Sequence, residues 1–272
     1  SMGVVYLFYY FCKYNLGVAT PVMQDEFGYS SQQMGTIVTA FTLVYAGGQF
    51  INGYLGDRFG PKIIVAIGGF GGVVANLLFA STPLYSTESA VMLNLFIGFW
   101  AFNAYFSSMG WSPGCRIMFN WFPPDRWGQW IGIYNALCYG GGAIVAPVAG
   151  LAIGWWGWQG AFILPPMFLL AMAIAFVFLA RNAPQDVGLK PEWTPPEEEQ
   201  SEPVGARDYV RAFVDPKMNL AYFAGFGGNF IRWGLLSWMV KILSDPIEAG
   251  GFGMSLMTAA IVSSLMNWGG AF

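Results

Sequence analysis

The sequence of 272 residues contains no histidine, only three cysteines, and few charged residues, which make up 10% of the chain. Without histidine, the chain lacks the commonest metal ligand and the side chain that most often shuttles protons near neutral pH. The cysteines lie in or beside apolar segments, and no pair of acids lies within one, so neither a disulfide framework nor an acid–base site is indicated. We therefore predict no metal site, no cofactor and no enzymatic activity.

Apolar residues, by contrast, are abundant: 56% of the chain is hydrophobic, 18% is aromatic, and 36 residues are glycine. This composition is typical of a helical membrane protein, in which small residues let helices approach closely. Apolar runs long enough to cross a bilayer recur along the chain. The predicted spans are residues 3–23, 33–55, 63–81, 90–121, 130–153, 161–180, 218–243 and 254–272.

The composition changes between residues 181 and 217, where prolines surround a run of three glutamates at 197–199. Such a segment is typical of a solvated linker between two domains. We therefore predict an N-terminal bundle of six helices over residues 1–180, a central linker over 181–217, and the first two helices of an incomplete second bundle over 218–272. The sequence indicates an all-α membrane protein.

Basic residues are concentrated on one side of the predicted membrane. The loops after the second, fourth and sixth spans hold nine of the 12 lysines and arginines, whereas the loops after the odd-numbered spans hold at most one. Loops rich in Lys and Arg stay in the cytoplasm. We therefore expect the N-terminus and the linker to be cytoplasmic, in the inner (plasma) membrane of a bacterium or an archaeon.

Lys13 occupies a position that a membrane span seldom tolerates. It lies ten residues from either end of the first span, at a depth where a charge costs about 2.5–3.5 kcal/mol. Tyr6, Tyr9 and Tyr10 lie on the same helical face, and the ammonium group together with these phenols would make an anion site. The alternative is a lysine whose long side chain reaches the membrane surface.

A glycine-rich segment follows the second span and reads Gly53-Tyr-Leu-Gly-Asp57-Arg58-Phe-Gly60-Pro-Lys62. It is similar to a loop signature of the major facilitator superfamily, which implies a fold of two six-helix bundles, here truncated to about eight helices. The glycines permit a tight turn, and Asp57 can accept a bond from Arg58 or Arg116. The alternative is an ordinary Gly-Asp turn. The residues of the predicted conformational latch are Gly53, Asp57, Arg58, Gly60, Lys62 and Arg116.

Four further segments, residues 103–122, 134–142, 181–189 and 229–238, resemble the organophosphate:phosphate antiporters of that superfamily, particularly the glycerol-3-phosphate and hexose-phosphate transporters. The resemblance implies that a small organic phosphate is exchanged for inorganic phosphate by alternating access. It also implies that a basic residue on the first helix and an arginine on the seventh grip the phosphate. Lys13 and Arg232 hold these positions here.

The residues themselves support this pairing, because Lys13 and Arg232 are the only basic residues deep in spans, one in each half. Carriers of this kind bind their substrate near the bilayer midplane, between the two halves. A guanidinium can bond phosphate through two parallel hydrogen bonds, whereas an ammonium acts as a point charge. The alternative for Arg232 is a structural arginine paired with an acid. The resemblance also implies that Tyr6, Tyr10, Tyr45 and Asn135 line the cavity, although the alternative for each tyrosine is packing. The other candidate substrate-binding residues are Gln49, Cys138 and Asn229.

Three positions depart from the family pattern. The glycerol-phosphate relatives carry a lysine where this chain has Gln49, a histidine where it has Cys138, and an arginine where it has Lys13. The cavity is therefore less positive than in those relatives, which leaves the anion open. Two alternatives are a carboxylate or sugar-acid carrier of the same superfamily and a transporter-like sensor of sugar phosphates.

Exchange is favoured over proton symport, because no Asp or Glu lies deep within the first seven spans. A proton-coupled carrier usually needs an intramembrane acid or histidine. Two uncompensated cations would make reorientation of the empty carrier costly, and a bound anion offsets their charge. We expect a monomer in the lipid bilayer that binds a small anion, either the organic phosphate or inorganic phosphate, and no nucleic acid.

Overall fold

The structure, a computed structural model, describes residues 2–191, 193, 211 and 214–269, without the side chains of 221, 224–226, 228–229, 231–233, 236 and 266–269. The helices of these residues are α1 (Met2–Tyr9), α2 (Phe11–Phe27), α3 (Ser31–Phe59), α4 (Pro61–Ala80), α5 (Ser89–Ser107), α6 (Trp111–Trp121), α7 (Trp127–Trp156), α8 (Gly160–Leu179), α9 (Pro216–Ser244) and α10 (Leu256–Gly269). Short 3₁₀ turns cover Thr82–Leu84, Pro124–Arg126, Pro184–Val187 and Ile247–Ala249. The described residues are therefore helical and contain no strand.

Five helical segments of the described residues are long and apolar enough to cross a membrane. They are α3, α4, α5 together with α6, α7 with the turn before it, and α8, and they agree with five of the predicted spans. The helices α9 and α10 begin close to the starts of the last two predicted spans. Most of the predicted linker lies outside the described residues.

Two predicted spans are interrupted where the sequence suggested continuous helices. The first is divided at Tyr10, where the bonds Tyr10 N–H to Leu7 O and Lys13 N–H to Tyr10 O, both 3.2 Å, tighten the turn to a three-residue repeat. The fourth is divided between α5 and α6, where Met109 N–H donates to Phe106 O at 3.1 Å. The ring of Tyr6 lies against the second break, at Gly110.

The last two helices lie against the first bundle of helices on α2 and α7. Contacts join α9 to α2, and α10 to both α7 and α9. A Cβ atom added at Gly150 of α7 would lie 3.3 Å from the sulfur of Met257 and 3.5 Å from the Cβ of Ala260, both on α10. This packing brings α9 beside the part of α2 that carries Lys13.

At Gly141, α7 lies close to the backbone of α1. A Cβ atom added there would lie 3.0 Å from the carbonyl carbon of Leu7 and 3.1 Å from its Cα. These atoms belong to the backbone of α1, so no rotation of a side chain can make room. Small residues at such points let helices pack closely in membranes.

We expect Gly141→Ala to destabilise the protein by about 1–3 kcal/mol, because the added methyl forces α1 and α7 apart. Gly98→Ala is the matched control, since a Cβ at Gly98, also within a helix, meets nothing within 4 Å. Alanine in place of glycine otherwise favours a helix by about 1 kcal/mol. Thermal unfolding in detergent tests the prediction, and equal midpoints for the two variants would contradict it.

Candidate anion site

Lys13 is buried, with 8% of its surface exposed, and its side chain lines a small cavity of about 30 Å³. This volume is enough for about one water molecule. The lining comes from α2, α3, α5 and α9 and consists of Lys13, Tyr14, Leu16, Gly17, Val38, Phe41, Thr42, Trp100 and Ser237. The lysine therefore faces the protein interior and does not extend to the membrane surface.

Aromatic rings cover the ammonium group of Lys13. Its Nζ lies 3.9 Å from the ring centroid of Tyr45 on α3 and 5.2 Å from that of Tyr10. A desolvated cation over an aromatic face gains about 2 kcal/mol. The hydroxyls of Tyr6 and Tyr45 are 3.4 Å apart. The fold thus brings three predicted site tyrosines together at this point. Tyr10 and Tyr45 face the ammonium group of Lys13, and Tyr6 contacts Tyr45.

A buried aromatic cluster lies beside this site. Tyr134 of α7 stacks on Tyr6 with ring centroids 5.0 Å apart and on Trp111 at 5.2 Å. The hydroxyl of Tyr134 donates to the carbonyl of Gly110 at 3.0 Å, and that of Tyr9 donates to the carbonyl of Val65. These bonds satisfy phenols that would be costly to bury unpaired. The cluster fixes α1 against α4, α6 and α7.

Two further predicted residues adjoin this site, since Gln49 is hydrogen-bonded to Tyr45, and Cys138 is hydrogen-bonded to Tyr10 and lies near Lys13. Gln49 accepts a hydrogen bond from the hydroxyl of Ser112 at 2.9 Å, which joins α3 to α6. Cys138 is fully buried within the aromatic cluster, and Asn135 is partly buried on α7. Positions 229 and 232 lie on α9, but the side chains of Asn229 and Arg232 are outside the described part of the chain.

The predicted latch forms the turn between α3 and α4. Gly60, with φ of +88°, ends α3, and Pro61 begins α4. Only glycine adopts such a φ without strain. The Nε of Arg116 lies 3.5 Å from a carboxylate oxygen of Asp57, and both side chains are partly exposed. Such an exposed pair contributes at most about 1 kcal/mol.

The latch residues Gly53 and Lys62, together with the neighbouring Gly56, join this turn to α6 and to the start of the predicted linker. An added Cβ at Gly56 would lie 3.1 Å from Pro113 on α6, and one at Gly53 would lie 3.6 Å from Ser112. The backbone N–H of Lys62 donates to the side-chain oxygen of Asn182 at 2.8 Å. Arg58 donates to the hydroxyl of Tyr54 at 3.4 Å.

Sequence reasoning missed several residues around Lys13. Thr42 lies three residues before Tyr45 on α3, so helical spacing could have placed it on the same face. Trp100 and Ser237 reach the cavity through packing between helices distant in sequence, which no local pattern reveals. Asn15, Asn76 and Asn103 are polar residues in apolar spans. Their position alone indicated that they are paired within the protein.

A family model described as Major Facilitator Superfamily matches residues 2–272. The chain is 27% identical to a "Probable hexose phosphate transport protein" of Chlamydia trachomatis serovar D, over 100% of this chain and 61% of that protein. It is 30% identical to a "Glycerol-3-phosphate transporter" of Bacillus subtilis (strain 168), over 91% of this chain and 56% of that protein. The chain thus spans about three fifths of the length of these curated relatives.

One solved structure with the same fold is a bacterial homologue of the human lysosomal transporter Spinster, in an inward-facing and unoccupied conformation. Its TM-score to this chain is 0.72 at 18% identity, over 98% of this chain and 58% of that one. This likeness extends through α9 and α10 and concerns the fold alone.

The ring of Tyr45 should stabilise the buried ammonium. We expect Tyr45→Leu to lower the free energy of unfolding by about 1–2 kcal/mol more than Tyr45→Phe, because phenylalanine retains an aromatic face. The same pair of variants in a Lys13→Met background is the control, since the difference should shrink once the cation is gone. Thermal unfolding in detergent provides the measurement. A difference that persists without Lys13 would mean that Tyr45 contributes packing only.

Proposed function

We propose that this chain, which belongs to the Major Facilitator Superfamily, acts in a membrane carrier that exchanges a small organic phosphate for inorganic phosphate. The observation that carries the proposal is the buried lysine of α2, which lines an interior cavity together with α3, α5 and α9. The hexose-phosphate and glycerol-3-phosphate transporters among its relatives support the choice of anion.

In this proposal the phosphate binds Lys13 directly. A phosphate oxygen would lie about 2.7–2.9 Å from the ammonium, a charge-assisted bond stronger than the contact with an aromatic face. Tyr45 would hold the ammonium when no anion is bound. We assign Arg232 as the second basic residue from the family resemblance, which is supported by the approach of α9 to the cavity of Lys13 at Ser237.

We further propose that residues 1–180 form one bundle, that 181–217 link it to a second, and that 218–272 begin the second bundle. The contacts of α9 with α2 and of α10 with α7 are those expected where two halves meet. The end of the molecule that carries Arg58, Arg116 and Arg181 would face the cytoplasm, following the bias of basic residues, in a bacterial inner membrane.

Exchange without proton coupling follows from where the acids lie. The acids of the described residues lie at helix ends or in turns and loops, and they are Asp25, Glu26, Asp57, Glu88, Asp125, Asp186, Asp215, Asp245 and Glu248. A proton-coupled carrier would need a titratable group near the substrate. The charge of the bound anion would instead offset Lys13 and Arg232 while the carrier reorients.

Counterflow in proteoliposomes tests the exchange. The complete native protein, preloaded with inorganic phosphate, should take up labelled phosphate without a proton gradient, and phosphate esters should compete. We expect Lys13→Ala and Arg232→Ala each to lower uptake at least about thirtyfold, the cost of removing one partner of a buried charge pair. Lys13→Arg should retain activity, because a guanidinium also binds phosphate.

Arg126→Ala serves as the control, since Arg126 lies in an exposed turn before α7 and should leave uptake unchanged. Three results would contradict the proposal. Uptake that follows an imposed proton gradient would indicate symport, and exchange of a carboxylate without exchange of phosphate would indicate a sugar-acid carrier. Binding of a sugar phosphate without any transport would indicate a sensor.

A further inference from the structure

Three asparagines from three helices form one buried hydrogen-bonded group, which we call the amide triad. Asn15 of α2, Asn76 of α4 and Asn103 of α5 are each 0% exposed. The side-chain N–H of Asn15 donates to the oxygen of Asn76 at 2.8 Å, and that of Asn76 donates to the oxygen of Asn103 at 3.1 Å. Polar groups buried among apolar helices are costly unless paired, so this pairing indicates a specific role.

The other donors of the amide triad bind backbone carbonyls of the surrounding helices. Asn103 donates to the carbonyl of Cys12 at 2.7 Å. Asn15 donates to the carbonyl of Ala161 on α8 at 2.9 Å, and Asn76 to that of Gly72 at 2.9 Å. The oxygen of Asn15 accepts from the N–H of Leu16 at 3.1 Å. The triad therefore ties α2 to α4, α5 and α8 within a single turn, residues 12–16.

That turn is the one that carries Lys13. Cys12 and Asn15 of this turn bond to the triad, while Lys13, Leu16 and Gly17 line the cavity. The irregular residue Tyr10 immediately precedes it, so the regular α2 backbone begins just before the lysine. A helix released from the triad could rotate or shift at this point, and the ammonium would move with it.

We infer that the amide triad is a positioning device, which fixes the α2 turn so that the Lys13 ammonium meets the anion. The inference rests on the proposed function for the identity of the anion. The effect of the triad on the position of Lys13 does not depend on which anion binds. The triad touches no ligand and holds the turn through the carbonyl of Cys12 and the side chain of Asn15. Fixed placement of charged groups is what makes them effective toward a bound anion.

Asn103→Leu is the most informative variant, because leucine has the branched side-chain shape of asparagine but cannot donate to Cys12, which loses the shorter of its two amide bonds. The amide of Asn76 keeps its bonds to the carbonyls of Gly72 at 2.9 Å and Cys12 at 3.4 Å, so neither of its N–H groups is left unpaired. The matched control is Asn52→Leu. Asn52 is also 0% exposed, but its amide donates to Ser108 at 2.7 Å and joins α3 to the end of α5 without reaching α2.

The first readout is the reactivity of Lys13 itself in the complete native protein. Trace acetylation with acetic anhydride, quantified by mass spectrometry against the exposed Lys190, measures how accessible the buried amine is. We expect Asn103→Leu to raise Lys13 labelling by about fivefold to tenfold, the equivalent of one lost hydrogen bond to a buried group. Asn52→Leu should leave the ratio unchanged. An unchanged ratio in Asn103→Leu would overturn the inference, as would an equal rise in Asn52→Leu.

The second readout is phosphate counterflow. We expect Asn103→Leu to raise the KM for phosphate by about fivefold, with the maximal rate per folded protein unchanged. If Asn103 had only a structural role, the variant would yield less folded protein, and both the KM and the labelling of Lys13 in the folded protein would stay unchanged. If Asn103→Leu does not fold, Asn103→Ala in lipid vesicles replaces it with the same expected results.

The two proposals fail in different ways. If labelling of Lys13 responds to Asn103→Leu, but inorganic phosphate and glycerol 3-phosphate do not slow labelling of the wild-type protein, the positioning role stands and the proposed substrate is wrong. If phosphate protects wild-type Lys13 but Asn103→Leu leaves labelling and KM at wild-type values, the substrate stands and the positioning role is wrong.

Discussion

The burial of one ammonium group in a membrane-spanning helix is the constraint on which the site depends. A charge that is 8% exposed among apolar helices must be compensated within the protein. Here the ring of Tyr45 lies 3.9 Å from the Lys13 ammonium, and α2 also contributes Tyr14, Leu16 and Gly17 to the cavity that the lysine lines. Aromatic faces stabilise a buried cation without removing its charge.

The two sides of α2 near this lysine make different contacts. One side carries Lys13, Tyr14 and Gly17 into the cavity, and the other is fastened by amide hydrogen bonds to α4, α5 and α8. Close glycine contacts, such as that of Gly141 with α1, and the stacked tyrosines hold the surrounding helices together. In the proposed carrier, this bundle would move as a rigid body while the lysine keeps its place.

Much of this arrangement could be predicted from the sequence, because it rests on local patterns. The apolar runs predicted the helices, and a lysine in the middle of one predicted a buried cation. The break at Tyr10 was not predicted, since no proline marks it. The break between Ser107 and Trp111 had a local signal that was missed, because Pro113 has no N–H to donate to the carbonyl of Met109. The contact of Tyr6 with Gly110 at this second break could not be read from the sequence.

The surroundings of Lys13 were only partly predictable for the same reason. Tyr45 was found through a resemblance, and the sequence alone could not show that its ring lies over the ammonium. Trp100 and Ser237 lie far from Lys13 along the chain and meet it only in the fold. Gln49 was predicted to line the cavity, and the sequence could not show that it also accepts a hydrogen bond from Ser112, which depends on how α3 crosses α6.

Whether Lys13 binds the transported anion can be seen in a structure of the complete native protein with glycerol 3-phosphate. We expect a phosphate oxygen about 2.7–2.9 Å from the Lys13 Nζ, with Arg232 on the opposite side and Asn103 still bonded to the carbonyl of Cys12. A phosphate bound elsewhere, with the ammonium still over the ring of Tyr45 and no anion in contact, would contradict it.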